Sequence, residues 1–185
     1  MSTLSTPDLL RRTGGREITR VVFDSAAIAR RVAELGRQIT EAYPEGELLA
    51  LGLLKGSFIF LADLVRTIER PVQVDFLVAS SYGSNKVSSG NVRLFYDPAI
   101  DLEGKHVVLV EDIIDSGRTL QRLLGLLGER RPLSLAVCAL LDKQQAPNLP
   151  ELKFVGFRAP SAFLVGYGLD HAENYRHLPF IADLD

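Results

Sequence analysis

One run of the chain, Val107-Val-Leu-Val-Glu-Asp-Ile-Ile-Asp-Ser-Gly-Arg-Thr-Leu120, constrains its fold more than any other. Four apolar residues lead straight into two adjacent carboxylates, Glu111 and Asp112. A third acid, Asp115, opens a short polar loop, Ser116-Gly117-Arg118-Thr119, and an apolar helical pattern begins at Leu120. The pattern predicts a buried strand that delivers acids to its carboxyl end, then an anion-binding turn at a helix start. Open α/β sheets place their ligands there. A site of this kind suits a phosphorylated, metal-bound molecule.

The surrounding chain repeats the strand–helix alternation. Ile28, Val32, Leu35 and Ile39 recur at helical spacing between Ser25 and Tyr43, with Asp24 or Ser25 as the cap and Pro44-Glu-Gly46 as the stop. Leu48–Leu54 is a continuous apolar run of strand length, the pattern of a sheet covered on both faces. Lys55-Gly56-Ser57 interrupts it, and Phe58, Leu61, Ala62 and Val65 form the next helical stripe. Strands are predicted over Val72–Val78, Val92–Tyr96 and Leu135–Leu141, with shorter ones at Phe154–Phe157 and Phe163–Val165. Leu123, Leu124 and Leu127 continue the helix after Leu120, and Gly128 and Pro132 help to stop it. Such an order indicates a mainly parallel α/β sheet flanked by helices. Residues 1–20 are weakly patterned and read as an arm settled against the domain.

Length and charge narrow the function classes. The 185 residues suit one domain, residues 1–185. A net charge of −2 gives no support to nonspecific nucleic-acid binding, which needs a basic face. The single cysteine, Cys138, lies inside the apolar run Leu135–Leu141 and reads as a small buried hydrophobe. No apolar run approaches the roughly 20 residues of a membrane span. Met1–Pro7 lacks the pattern of a signal peptide, so the expectation is a soluble cytoplasmic protein with no membrane or nucleic-acid partner.

The residues of the opening run divide by chemistry. Gly117 lets backbone N–H groups converge, Ser116 and Thr119 add hydroxyl donors, and the helix that follows favours an anion. The competing reading is an ordinary strand-to-helix turn capped by Ser116 or Thr119. Glu111 and Asp112 can turn toward a cleft at the strand end and meet Mg²⁺ or ribose hydroxyls; the alternative is a solvated charge pair. A carboxylate at Asp115 repels a phosphate, so it makes sense facing a reacting centre, where it accepts a proton or stabilises a cation. Helix capping is its competing role. His106, His171 and His177 have no spacing that suggests a metal or catalytic site, and they read as structural or surface residues.

Val107–Leu120 resembles the phosphoribosyl pyrophosphate (PRPP) signature of the type I phosphoribosyltransferases. Leu54-Lys-Gly56, Ser81-Tyr82, Leu141-Asp-Lys143, Phe154-Val-Gly-Phe157, Val165–Asp170 and Tyr175-Arg176 extend the resemblance from about Leu48 to Leu184. Together they narrow it to the hypoxanthine and hypoxanthine-guanine members. The resemblance implies that fold: a mainly parallel central sheet flanked by helices, with a small hood drawn from about 150–185. It also implies that 115–119, including Arg118, hold the 5′-phosphate. Glu111 and Asp112 then contact ribose hydroxyls directly or through Mg²⁺, and Asp170 helps to bind a second Mg²⁺. Lys55, Gly56 and Arg176 approach pyrophosphate, and the bond before the lysine is often cis in this family.

Purine recognition is implied in the same way. Lys143 donates to the 6-oxo group, Phe163 stacks on the base, Leu164 offers backbone contacts, and Asp170 also belongs to the purine-binding set. Asp115 takes or shares the purine N7 proton. Residues 80–91 form a lid, with Ser81 and Tyr82 over the pyrophosphate. The implied protein is a homodimer or homotetramer that forms inosine or guanosine monophosphate. A non-catalytic PRPP-binding regulator and a transferase for another base, such as xanthine, are the alternatives. Gln144-Gln145 after Lys143 and His171 after Asp170 depart from the family pattern, which leaves the choice among oxopurines open.

Overall fold

The structure, a computed structural model, describes residues 10–15, 18, 20–81, 92–145 and 149–184, with the backbone alone for 80, 81 and 92–95. Its centre is a six-stranded sheet. The strands are β2 (Leu48–Leu54), β3 (Gln73–Ser81), β4 (Val92–Tyr96), β5 (His106–Ile114), β6 (Ser134–Asp142) and β7 (Leu152–Arg158), in the order β4-β3-β2-β5-β6-β7. Five strands are parallel, and β4 closes one edge antiparallel to β3.

Alternation along the strands divides the core into two layers. Leu48, Ala50, Val108, Val110, Ala136, Cys138 and Leu140 face one side. They meet the helices α1 (Ser25–Ala42) and α2 (Phe58–Val65). Leu49, Leu51, Val107, Leu109, Val137 and Ala139 face the other, against α3 (Arg118–Gly128). A period-2 backbone between two helical layers requires both faces to be apolar, which is why these strands read as unbroken hydrophobic runs. Cys138 is fully buried in this core, and burial pushes its thiol pKa up.

Local signals set the helices. Asp24 caps α1 by accepting a 2.7 Å hydrogen bond from the Ala27 N–H, and the stripe Ile28, Val32, Leu35 and Ile39 is buried. In α3 the competing reading of a capped turn does not hold. Gly117 is the N-cap, at φ 68°, and no side chain caps the helix, so neither Ser116 nor Thr119 serves. A left-handed turn brings the strand into the helix axis within three residues, a geometry that glycine adopts without a Cβ clash.

A second, three-stranded sheet has the order β1 (Arg20–Phe23), β9 (Ile181–Asp183), β8 (Leu164–Val165). Sequence reading placed residues through 20 in an arm and assigned no strand to 20–23 or 181–183. Pairing between the two ends of the chain, Arg20 with Asp183 and Val21 with Ala182, makes them strands. Val165, Tyr175, Leu178, Phe180 and Ala182 form a small core of this lobe, while Leu164, Tyr167, Leu169 and Ile181 join the main one. The Tyr167 hydroxyl donates to Asp63 of α2 at 2.6 Å and ties the lobe down. Among the described residues no helix is long and apolar enough to cross a membrane.

Candidate active site

The strand order reverses between the parallel neighbours β2 and β5. From β2 the chain moves outward to β3 by way of α2 on one face, and from β5 it moves the opposite way to β6 by way of α3 on the other. The two crossovers part at the carboxyl ends of β2 and β5 and leave a crevice at this switch point. A cavity of about 390 Å³ opens there, lined by Leu53, Leu54, Gly56, Ala79 and the whole run Glu111–Leu120. Strand order therefore unites the segment after β2 with the acid-rich run after β5.

The floor of the cavity is an uncapped helix start. The first hydrogen bond of α3 runs from the Gln121 N–H to the Gly117 carbonyl, 2.9 Å. The preceding N–H groups lack intrahelical acceptors, and no side chain replaces them. With Gly117 turning the backbone, residues 115–119 offer convergent donors and a positive helix end to an anion.

The two acids of β5 differ. Glu111 sends Oε2 out of solvent with no hydrogen-bond partner. Burial raises its pKa well above the ordinary carboxylate value, and the Asp112 charge adds to the rise. A buried acceptor without a donor is costly, so this oxygen is set for a hydroxyl or a proton. Asp112 accepts from the Ile113 N–H at 2.8 Å. Burial lifts its carboxyl to about 6; the Ile113 and Asp112 N–H groups and the Arg176 guanidinium oppose that rise, and Asp170 adds to it.

The small lobe reaches this crevice through Gly168, which packs on Gly56 of the cavity lining. Arg176 donates to the Gly168 carbonyl at 2.7 Å and pairs with Asp170 at 2.8 Å and Glu173 at 3.3 Å, while its buried Nε has no partner. Lys55 joins the same cluster through Glu173 at 3.1 Å. The Leu54–Lys55 peptide is cis. Gly168 packs directly on this segment, since a Cβ there would sit 2.1 Å from the Gly56 carbonyl. Among the described residues, Glu111, Asp112 and Asp170 do not converge with one another into a three-ligand metal cage.

Lys143 stands beside Asp115. In the parallel ladder Ile114 lies opposite Asp142, and the Lys143 N–H continues the pairing to the Ile114 carbonyl at 2.9 Å. Phe163 and Leu164 do not line the 390 Å³ cavity. Phe163 is 47% exposed, whereas the Leu164 side chain is buried and leaves only its backbone to a ligand. Ser81 ends β3 with its side chain undescribed, and Tyr82, with the rest of the proposed lid, lies outside the described residues.

Two residues make contacts that the sequence reading did not assign. His171 meets the Phe163 ring edge-on, with centroids 5.4 Å apart and planes at 78°, so it backs the exposed aromatic. Glu173 links Lys55 and Arg176. Position relative to Asp170 and Arg176 was the only signal for either, and it names no partner. The other histidines have structural contacts: His106 with the Ser134 hydroxyl at 2.7 Å and His177 with the Arg12 carbonyl at 3.0 Å.

A switch-point crevice floored by an uncapped helix start, with Lys55 next to its Gly56 and bridged to Arg176 through Glu173, has the features of an anion-binding site. The family model described as "Phosphoribosyl transferase domain" matches residues 21–172, and the chain belongs to that family. It is 48% identical to the hypoxanthine phosphoribosyltransferase of Salmonella typhimurium, across 90% of this chain and 95% of that one. It is 43% identical to the hypoxanthine-guanine phosphoribosyltransferase of Bacillus subtilis, across 91% and 94%. The fold is similar to two crystal structures. A hypoxanthine-guanine phosphoribosyltransferase of Bacillus anthracis, solved with HEPES in its active site, superposes with a TM-score of 0.86 at 42% identity, covering 91% of this chain and 100% of that one. A hypoxanthine phosphoribosyltransferase of Staphylococcus aureus gives 0.89 at 35%, covering 98% and 97%.

Proposed function

We propose that this chain transfers the 5-phosphoribosyl group of PRPP to hypoxanthine, and to guanine, releasing pyrophosphate and the purine nucleoside monophosphate. What supports the reading is the uncapped loop 115–119 in the switch-point cavity, Gly56 in the same lining with the neighbouring Lys55 bridged to Arg176 by Glu173, and Lys143 following the residue in register with Ile114. Relatives named for this reaction align along nearly the whole chain.

The 5′-phosphate sits on 115–119, where α3 amides and the Ser116 and Thr119 hydroxyls can donate. Glu111 takes up ribose hydroxyls, which satisfies its orphaned Oε2. Lys55, Gly56 and Arg176 face the diphosphate, with Ser81 and Tyr82 closing from the 80–91 segment. Phe163 stacks on the purine, the Leu164 backbone meets its edge, and Lys143 donates to the 6-oxo group. An ammonium donor there favours oxopurines over adenine, whose 6-amino group is itself a donor.

Ribose C1′ bonds to purine N9 as the bond from C1′ to pyrophosphate breaks. The electron pair leaves with pyrophosphate, and Asp115 receives the N7 proton. Lys55 and Arg176 stabilise charge on the leaving group.

The donor set fits Mg²⁺. Asp112 and Asp170 offer hard oxygens within electrostatic reach of one another. Magnesium characteristically takes one or two carboxylates and completes its shell with water and substrate phosphates, so a full protein cage is not required. The chemistry Mg²⁺ supplies when bound is neutralisation of diphosphate charge. Asp112 and Asp170, with Glu111 nearby, would hold it. We assign the protein to the cytoplasm, as a homodimer or homotetramer of single-domain chains.

Product formation from PRPP with hypoxanthine, guanine, xanthine and adenine, compared side by side with Mg²⁺ present, tests this reading. Turnover of hypoxanthine and guanine with adenine inert is the expected result. PRPP binding without turnover of any base would instead mark a regulator, and xanthine as the preferred base would reassign the specificity.

A further inference from the structure

Glu173 occupies the ground between the two cations of the site. Both of its carboxylate oxygens lie 3.1 Å from Lys55 Nζ, and Oε2 also lies 3.3 Å from Arg176 Nη2. The backbone holds it there: the Glu173 N–H donates to Asp170 Oδ2 at 2.9 Å, in the turn that presents Asp170 to Arg176. Lys55 follows β2 and Arg176 belongs to the small lobe, so this one carboxylate spans the gap between the two parts of the protein. As an exposed carboxylate beside two cations it is anionic at neutral pH.

We propose that Glu173 is an internal competitor for the diphosphate: its carboxylate neutralises Lys55 and Arg176 in the free protein and must be exchanged for diphosphate oxygens when substrate binds. The inference rests on the reading above, in which those two cations face pyrophosphate. Exchange is feasible because the bridge is open. Lys55 and Glu173 side chains are each 66% exposed, and exposed ion pairs are individually weak. A diphosphate carries more charge than one carboxylate and displaces it. The same carboxylate then stands ready to reclaim the cations, which eases release of pyrophosphate after transfer. Asp170 does not duplicate this role, because it reaches Arg176 but has no contact with Lys55 in the structure.

Calorimetric titration of the full chain with inorganic pyrophosphate and Mg²⁺ tests the proposal, with inosine monophosphate as the control anion. Its phosphate uses 115–119 rather than Lys55 and Arg176. Glu173→Gln should bind pyrophosphate about threefold to tenfold more tightly and inosine monophosphate unchanged. Glu173→Ala should shift in the same direction. Unchanged or weaker pyrophosphate binding in both variants would overturn the proposal, and so would equal tightening of inosine monophosphate, which would mean a general charge effect. A wild-type protein that binds neither ligand would sink the underlying reading and this inference together. Wild-type binding with unresponsive variants sinks this inference alone.

Discussion

Gly56 and Asp112 meet so closely that a Cβ on the glycine would lie 1.6 Å from Oδ2 of the carboxylate. The turn leaving β2 therefore rests directly on the acid at the end of β5. That contact also sets the height of the small lobe, since Gly168 packs on the Gly56 carbonyl.

Gly56→Ala must push Asp112 aside or lift the turn. Overpacking of this kind costs about 1–3 kcal/mol, and displacement by about 1 Å at a reacting site costs on the order of 10²-fold in rate. The expected variant folds with a lowered thermal midpoint and a kcat/KM reduced about 10²-fold. Wild-type kinetics in a folded variant would show that this contact does not shape the site.

Asp112 also makes stability depend on pH. In the free protein its carboxyl titrates at about 6, against 3.8 for an ordinary aspartate. Between those values the folded state binds more protons than the unfolded one, so stability falls as pH rises through the window and stays lower above it. Asp112→Asn removes the penalty. It should be more stable than the parent near neutral pH by on the order of 3 kcal/mol, with the advantage vanishing below about pH 4. Urea unfolding of both proteins across that range measures the difference; parallel curves would contradict it.

Tyr167→Phe deletes the hydroxyl that donates to Asp63 at 2.6 Å and leaves one carboxylate oxygen short of a donor. A part-buried loss of this type costs about 1–2 kcal/mol. For a chain of this length that corresponds to a drop of about 2–8 °C in the melting midpoint. Because the bond tethers the small lobe to α2, KM for PRPP should rise with it. A variant with unaltered melting and KM would remove the tether.

Asp115→Asn keeps the size of the side chain and abolishes its basicity. The kcat of transfer to hypoxanthine should fall about 10²–10⁴-fold, the usual contribution of a positioned proton acceptor, while PRPP affinity changes little. Direct titration with PRPP beside steady-state rates separates the two, and an unchanged kcat would dismiss the proton role.

Much of the sheet was legible because its signals are local. Leu48–Leu54 reads as a doubly covered strand without reference to any neighbour, and the α1 stripe reports one helix face. The strands β1 and β9 were illegible for the opposite reason. Each is three or four residues long, and each is a strand only because the other lies beside it, with Arg20 against Asp183. At the start of α3 the sequence alone left a capped turn open beside the anion-binding one. Serine and threonine are available at 116 and 119, but the left-handed turn at Gly117 leaves the helix start uncapped.

What the sequence by itself determined is the run from Val107 to Leu120: a buried strand, acids at its end, a glycine turn and a helix. Period, glycine and charge order are properties of neighbouring residues, so they survive without a fold. Tertiary structure alone decided the company these residues keep. The β2–β5 adjacency brings Gly56 to Asp112, and the folded-over lobe brings Arg176 and Asp170 within reach of Asp112 and sets Glu173 between Lys55 and Arg176. Burial and Coulomb interaction depend on distance through space rather than along the chain. The elevated Asp112 carboxyl and the bridged cations therefore became visible only once the chain was folded.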